Sequence, residues 1–127
     1  MTAYLLDTTL LIDYANDLAG AAAVLDSLFE SGAELLTCDV VTCEALSKGT
    51  DGQLAVIKGV LDALEYVAID PDGALRAAES RRRRDVGGNV RSLGDALIAA
   101  VAWRLDATVV TRNPRDFEWQ GTPVLTY

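Results

Sequence analysis

The sequence contains no histidine, and only two cysteines, two lysines and three prolines in 127 residues. The lack of histidine excludes imidazole as a general acid or base. With Cys38 and Cys43 as the only thiols, zinc is disfavoured, because its sites are built from cysteine and histidine. Any metal would be held by oxygen, which points to magnesium, manganese or calcium. The two cysteines lie five residues apart and would gain little by pairing. They are expected as buried thiols in a reducing cytosol. Long apolar runs are also missing, since charge interrupts them, so no transmembrane helix is expected. The opening Met1–Leu6 has no basic stretch and runs straight into Asp7, so no signal peptide is expected. A cytoplasmic protein follows from these absences.

The length suits one domain spanning 1–127 with one core. The net charge of −8 argues against a nucleic-acid binder. Two features counter it: carboxylates gathered in a metal site are neutralised when metal binds, and the basic residues are unevenly spread. Nine of the eleven are arginine, lying between Arg76 and Arg115.

Apolar segments alternate between strand and helix patterns. Tyr4–Leu6 reads as a strand ending at Asp7, and Thr8 and Thr9 can cap a helix carrying Leu10, Leu11 and Tyr14. A helix over 19–31 ends at Gly32. Glu34–Thr37 is the next strand, with Asp39 capping a helix through Leu46. A helix over 53–64, a strand over 66–69, a helix over 71–84 and a helix from Ser92 to Leu105 follow. Thr108–Val110 and Val124–Leu125 close the pattern. Such alternation predicts an α/β fold, a mostly parallel sheet of four to five strands covered by helices on both faces. Ligands then bind beyond the carboxyl ends of the strands.

Four acids draw attention on that ground. Asp7 follows the first strand, where a turn or cap is the ordinary role. Glu44 shares a helical face with Val40 and Val41 and so points toward apolar surroundings; Lys48, four residues on, is its ordinary partner. Asp95 is the only charged side chain from Leu93 to Trp103. Burying it is costly without compensation. A capping box with Ser92 explains its position, but not why Ala99 and Ala102 are small. Asn113 and Asp116 follow the fourth strand, in what could be a plain Asn-Pro turn. Converging on one rim of a parallel sheet, these acids would repel one another unless divalent cations joined them.

The motifs Leu5–Asp13, Val41–Leu46, Ser92–Ala100 and Val109–Phe117, in this order and spacing, resemble those of the PIN-domain ribonucleases. The likeness is to the VapC-type toxins of bacterial toxin–antitoxin pairs, and it covers essentially the whole chain. It implies a PIN-like fold and an endoribonuclease using Mg²⁺ or Mn²⁺, with Asp7, Glu44 and Asp95 as core metal ligands. Thr8 and Thr111 are implied as supporting groups. The fourth acid is open between the position of Asn113 and that of Asp116, with Asp116 the acid favoured. It further implies an RNA substrate, a protein antitoxin covering the active site, and a homodimer. Apolar side chains near Leu10, Leu11 and Tyr14, or on the helix over 53–64, are expected to be exposed for such contacts.

Water activated by metal would attack phosphorus and leave 5′-phosphate and 3′-hydroxyl ends. Arg81, Arg82, Arg83 and Arg84 point all round a helix. They are either a solvated helix end or a phosphate grip shared with Arg91, Arg112 and Arg115. Competing readings are a housekeeping RNA-processing PIN nuclease, a non-catalytic PIN-like binding module, and a receiver-like signalling module with a phosphorylated aspartate. The last expects a lysine near the last strand, whereas Lys48 and Lys58 both lie mid-chain.

Overall fold

The computed structural model of the chain describes residues 2–83, 87–118 and 120–127. Its elements alternate as the apolar pattern predicts, with one short helix, α7, added after the Asn-Pro turn where none was expected: β1 (Ala3–Leu6), α1 (Thr8–Ala15), α2 (Ala19–Glu30), β2 (Glu34–Cys38), α3 (Asp39–Ala45), α4 (Asp51–Asp62), β3 (Glu65–Val67), α5 (Pro71–Arg82), α6 (Leu93–Arg104), β4 (Thr108–Val110), α7 (Arg115–Glu118) and β5 (Val124–Leu125).

The five strands pair in the order β3-β2-β1-β4-β5, and every pairing is parallel. Parallel neighbours need crossovers, which the helices supply, so both sheet faces are buried. Successive residues of one strand serve opposite faces. Leu5, Leu36 and Val109 join one apolar cluster with Val41, Ile57, Ile98 and Phe117. Leu6, Leu35 and Val110 join another with Leu10, Leu25 and Leu28. The chain runs outward from β1 on one side through β2 and β3, and on the other through β4 and β5. The crevice beyond the carboxyl ends of β1 and β4 is therefore the switch point where a ligand site belongs.

Local signals set several helix starts. Thr50 and Gln53 form a complete capping box on α4. Asp70 caps α5, accepting from the Gly73 amide at 2.7 Å, with Pro71 in its first turn. Other starts differ from the sequence expectation. Thr8 and Thr9 lie inside α1, and Asp7 takes its cap position without a side-chain capping bond. Asp39 lies in the first turn of α3, after Cys38; its second oxygen accepts from the Ile69 amide instead.

Burial corrects three further expectations. Leu10 and Leu11 are wholly buried, one in each apolar cluster, because α1 lies between the sheet and its neighbouring helices. The expectation holds instead at Ile12, next to them on α1, and at Val56 on α4, with Leu18 and Phe29 the other large exposed apolar side chains nearby. Cys38 is buried but Cys43 is exposed. Ala99 and Ala102 are small because they pack in the larger cluster.

Candidate active site

Asp7 sits one residue beyond β1, and its amide donates to Val110 O at 3.0 Å, so it continues the ladder. Its side chain is buried. Thr111, one residue beyond β4, donates its hydroxyl to Asp7 Oδ2 at 2.8 Å, and Thr9 donates to the same oxygen at 3.1 Å. This carboxylate is turned across the switch crevice, held by hydroxyls from α1 and from the residue beyond β4, with the Thr8 amide also stabilising its charge. Burial pushes the Asp7 carboxyl above its ordinary value, with the charge of Glu44 adding to it, while the bonds from Thr111 and Thr9 pull it back.

Glu44 is exposed, not turned into the core. The α3 helix is short, and Val41 and Ala45 take its buried face. Thr8 donates its hydroxyl to Glu44 Oε1 at 2.9 Å, tying α3 to the start of α1. Among the described residues no ion pair joins Glu44 to Lys48.

Asp95 lies in the first turn of α6, and its amide donates to the capping Ser92 Oγ at 3.1 Å. Its carboxyl is pushed up to about 6, by burial first and then by the charges of Asp116, Asp7 and Glu44, against the pull of Ser92. Asp116 is the second residue of α7 and is exposed. The fold thus brings the four acids singled out in the sequence into one electrostatic neighbourhood, each from a different helix or strand end.

Asn113 is exposed, and its amide donates to Thr111 Oγ1 at 3.0 Å. The donor set is all carboxylate, which suits a hard divalent ion, and the mutual repulsion at Asp95 is what such an ion would relieve. Among the described residues no three acidic, cysteine or histidine side chains stand close enough to enclose an ion as they are.

The arginines divide. Arg112 is committed to an ion pair, its Nη1 lying 2.9 Å from Asp13 Oδ1. Arg91 is buried and donates to the Ser80 carbonyl at 2.6 Å, so it joins α5 to the segment before α6 and is no phosphate grip. Arg81 and Arg82 are exposed in the last turn of α5, and Arg81 also donates to the Arg91 carbonyl. Arg83 lines a cavity of about 250 Å³ with Arg76, Trp103 and Gln120, and none of the four acids lines it. Arg84 lies outside the described residues. Arg115, beside Asp116, is exposed.

Sequence reasoning missed Thr9, Asp13, Gly94 and Tyr127. Gly94 had a readable signal: glycine is a poor helix former, and inside a helix start it marks a close approach. Thr9 reads in the sequence only as a helix cap, although its partner Asp7 is two residues away; Asp13 and Tyr127 carried no signal, because their partners are distant in the chain.

Residues 4–118 match the family model of the PIN domain. The chain belongs to the PIN-domain family. Over 114 residues, 89% of this chain and 90% of the relative, it is 30% identical to Ribonuclease VapC19 of Mycobacterium tuberculosis, which places this PIN protein among the VapC ribonucleases. Its fold superposes on VapBC2 from Rickettsia felis, solved bound to a promoter DNA fragment, with a TM-score of 0.82 and 20% identity across 99% of both chains. A toxin–antitoxin complex from Klebsiella pneumoniae gives a TM-score of 0.76 at 25% identity, covering 97% of this chain and 96% of that one. The strand order β3-β2-β1-β4-β5 also differs from the 2-1-3-4-5 order of receiver modules, which removes the signalling alternative.

Proposed function

We propose that this PIN protein is a divalent-metal-dependent endoribonuclease, the toxin of a toxin–antitoxin pair, acting in the cytoplasm. The acidic rim carries the assignment: Asp95, on α6, is loaded by the charges of Asp116, Asp7 and Glu44. Repulsion of this kind is wasteful in a purely structural position, and family membership supports the same choice of residues.

Asp7, Glu44 and Asp95 would hold Mg²⁺ or Mn²⁺, with Asp116 as the fourth acid. Asp116 is preferred over Asn113 because its charge acts on Asp95 ahead of those of Asp7 and Glu44. Bound metal would supply the Lewis acidity that makes water a nucleophile at neutral pH and steadies the departing oxygen. The chain's own groups do the rest. Thr9 and Thr111 hold Asp7 by its Oδ2, Thr8 holds Glu44, and a carboxylate of the rim accepts the proton that the attacking water gives up. Arg115, exposed next to Asp116, suits an RNA phosphate. In this reading water, not the ribose 2′-hydroxyl, attacks phosphorus and the 3′ oxygen departs, so products carry 5′-phosphate and 3′-hydroxyl ends.

The pairing named for the Klebsiella pneumoniae complex supports a protein antitoxin as partner, covering the acidic rim with a basic side chain. A homodimer accords with the same family behaviour. The deciding experiment is cleavage of RNA by purified protein, freed of partner, with and without Mg²⁺ or Mn²⁺, beside Asp7→Ala and Asp95→Ala. Metal-dependent cutting lost in both variants upholds the assignment. Metal-independent cutting that leaves 2′,3′-cyclic phosphate ends defeats it.

A further inference from the structure

Asp13 lies on α1 with its side chain 2% exposed, outside the acidic rim. Its two oxygens are each engaged: Arg112 Nη1 donates to Oδ1 at 2.9 Å and Tyr127 Oη donates to Oδ2 at 2.6 Å. A buried carboxylate is costly unless paired, and here the pairing cation, Arg112, keeps 52% of its side chain exposed, so Asp13 draws an otherwise solvent-facing arginine down onto α1. Such a fixed pairing selects one placement of the arginine and of the chain that carries it.

The geometry selected here is visible in the main chain. The Arg112 amide donates to Thr9 Oγ1 at 3.2 Å, while its guanidinium holds Asp13. Thr9 and Asp13 are four residues apart, hence neighbours on one face of α1. Arg112 is thereby gripped by α1 at two points one turn apart. The residue before it, Thr111, donates to Asp7; the residue after it, Asn113, bonds back to Thr111, and the Asp116 amide donates to Asn113 O at 3.2 Å. The segment carrying Thr111 and Asp116 hangs from α1 through this grip. Tyr127 remains a donor, since burial and the bond to Asp13 hold its hydroxyl well above its ordinary value.

We propose that Asp13, through Arg112 and Tyr127, is a positioning residue that sets the segment between β4 and α7 against Asp7. The proposal rests on the ribonuclease reading above for its effect on rate, though not for the geometry it describes.

The test compares Asp13→Asn, Tyr127→Phe, Arg112→Gln, Arg112→Lys and the Asp13→Asn/Arg112→Gln double variant, at a temperature where each is folded. Steady-state cleavage of a short RNA should show kcat reduced about tenfold to a hundredfold in Asp13→Asn with KM little changed, the size expected for a displaced catalytic group. The double variant should be no worse than either single one, and Arg112→Lys should keep most of the rate. Losses that add in the double variant would overturn the proposal, and so would Arg112→Gln raising KM while Asp13→Asn leaves kcat intact, which would make Arg112 an RNA contact. Amide hydrogen exchange at Thr111 and Asn113 separates the proposal from the ribonuclease reading. Faster exchange in Asp13→Asn and Tyr127→Phe supports the positioning role even if wild type cuts no RNA; unchanged exchange overturns it. Tyr127→Phe, which deletes one hydroxyl, keeps the test usable should Asp13→Asn fail to fold.

Discussion

A side chain at position 94 would collide with Glu44: a Cβ there would stand 2.6 Å from Oε2 and 3.1 Å from Cδ. Gly94 is thus the space into which the Glu44 carboxylate fits beside the first turn of α6, one residue from Asp95. Gly94→Ala should leave the fold intact, because the clash is with the end of a flexible side chain and alanine adds about 0.5–1 kcal/mol of helix propensity. It should nonetheless cut RNA cleavage by about tenfold or more, as a displaced ligand does. Melting temperature and cleavage rate, measured together, check this; a fully active Gly94→Ala protein would show that Glu44 does not work from this position.

The raised Asp95 carboxyl makes a pH prediction. Its value moves from 3.8 to about 6 on folding, so between those values the folded chain keeps a proton that the unfolded chain has lost. The stabilising contribution is complete below 3.8 and is lost as the pH rises to about 6. Without divalent cations at pH 7, Asp95→Asn should therefore be more stable than wild type, by about 1 kcal/mol once partial solvation is allowed for. The gap should close in acid, and Mg²⁺ should narrow it at neutral pH. Urea midpoints under the three conditions test the sign, which a less stable Asp95→Asn at pH 7 would contradict.

Thr111→Val removes the donor to Asp7 while keeping the shape. A hydrogen bond to a charged group is worth about 1.5–3 kcal/mol, so kcat/KM should fall about tenfold to a hundredfold. Since this bond pulls the Asp7 carboxyl down, the acid limb of the pH–rate profile should move to higher pH. Thr111→Ser should restore both. A rate loss with an unmoved profile would place the role of Thr111 elsewhere.

The burial of Leu10 and Leu11 separates core from contact surface on α1. Leu10→Ala or Leu11→Ala should each cost about 2–5 kcal/mol of unfolding free energy. Ile12→Ala, at a side chain 38% exposed, should change stability by no more than about 0.5 kcal/mol while remaining free to affect partner binding. Denaturant titrations on the three variants check the contrast.

Much of this was legible in one dimension. Alternating apolar segments determined a parallel α/β sheet, because a strand buried on both faces needs continuous apolar residues and its crossover needs a helix. Position after a strand or at a helix start singled out Asp7, Asp95 and Asp116, and the apolar neighbours of Glu44 singled out the fourth acid, which lies at the end of α3 rather than its start. What tertiary structure alone decided was direction and partnership. Whether Glu44 faced core or solvent depended on which side of the short α3 Val41 and Ala45 would bury. Thr111 found Asp7 across 104 residues, and Asp13 was matched to Arg112 and Tyr127 across 99 and 114. No local spacing encodes such pairs: they exist only once β1, β4 and β5 lie side by side, and strand order follows from the packing of the whole sheet rather than from any one segment.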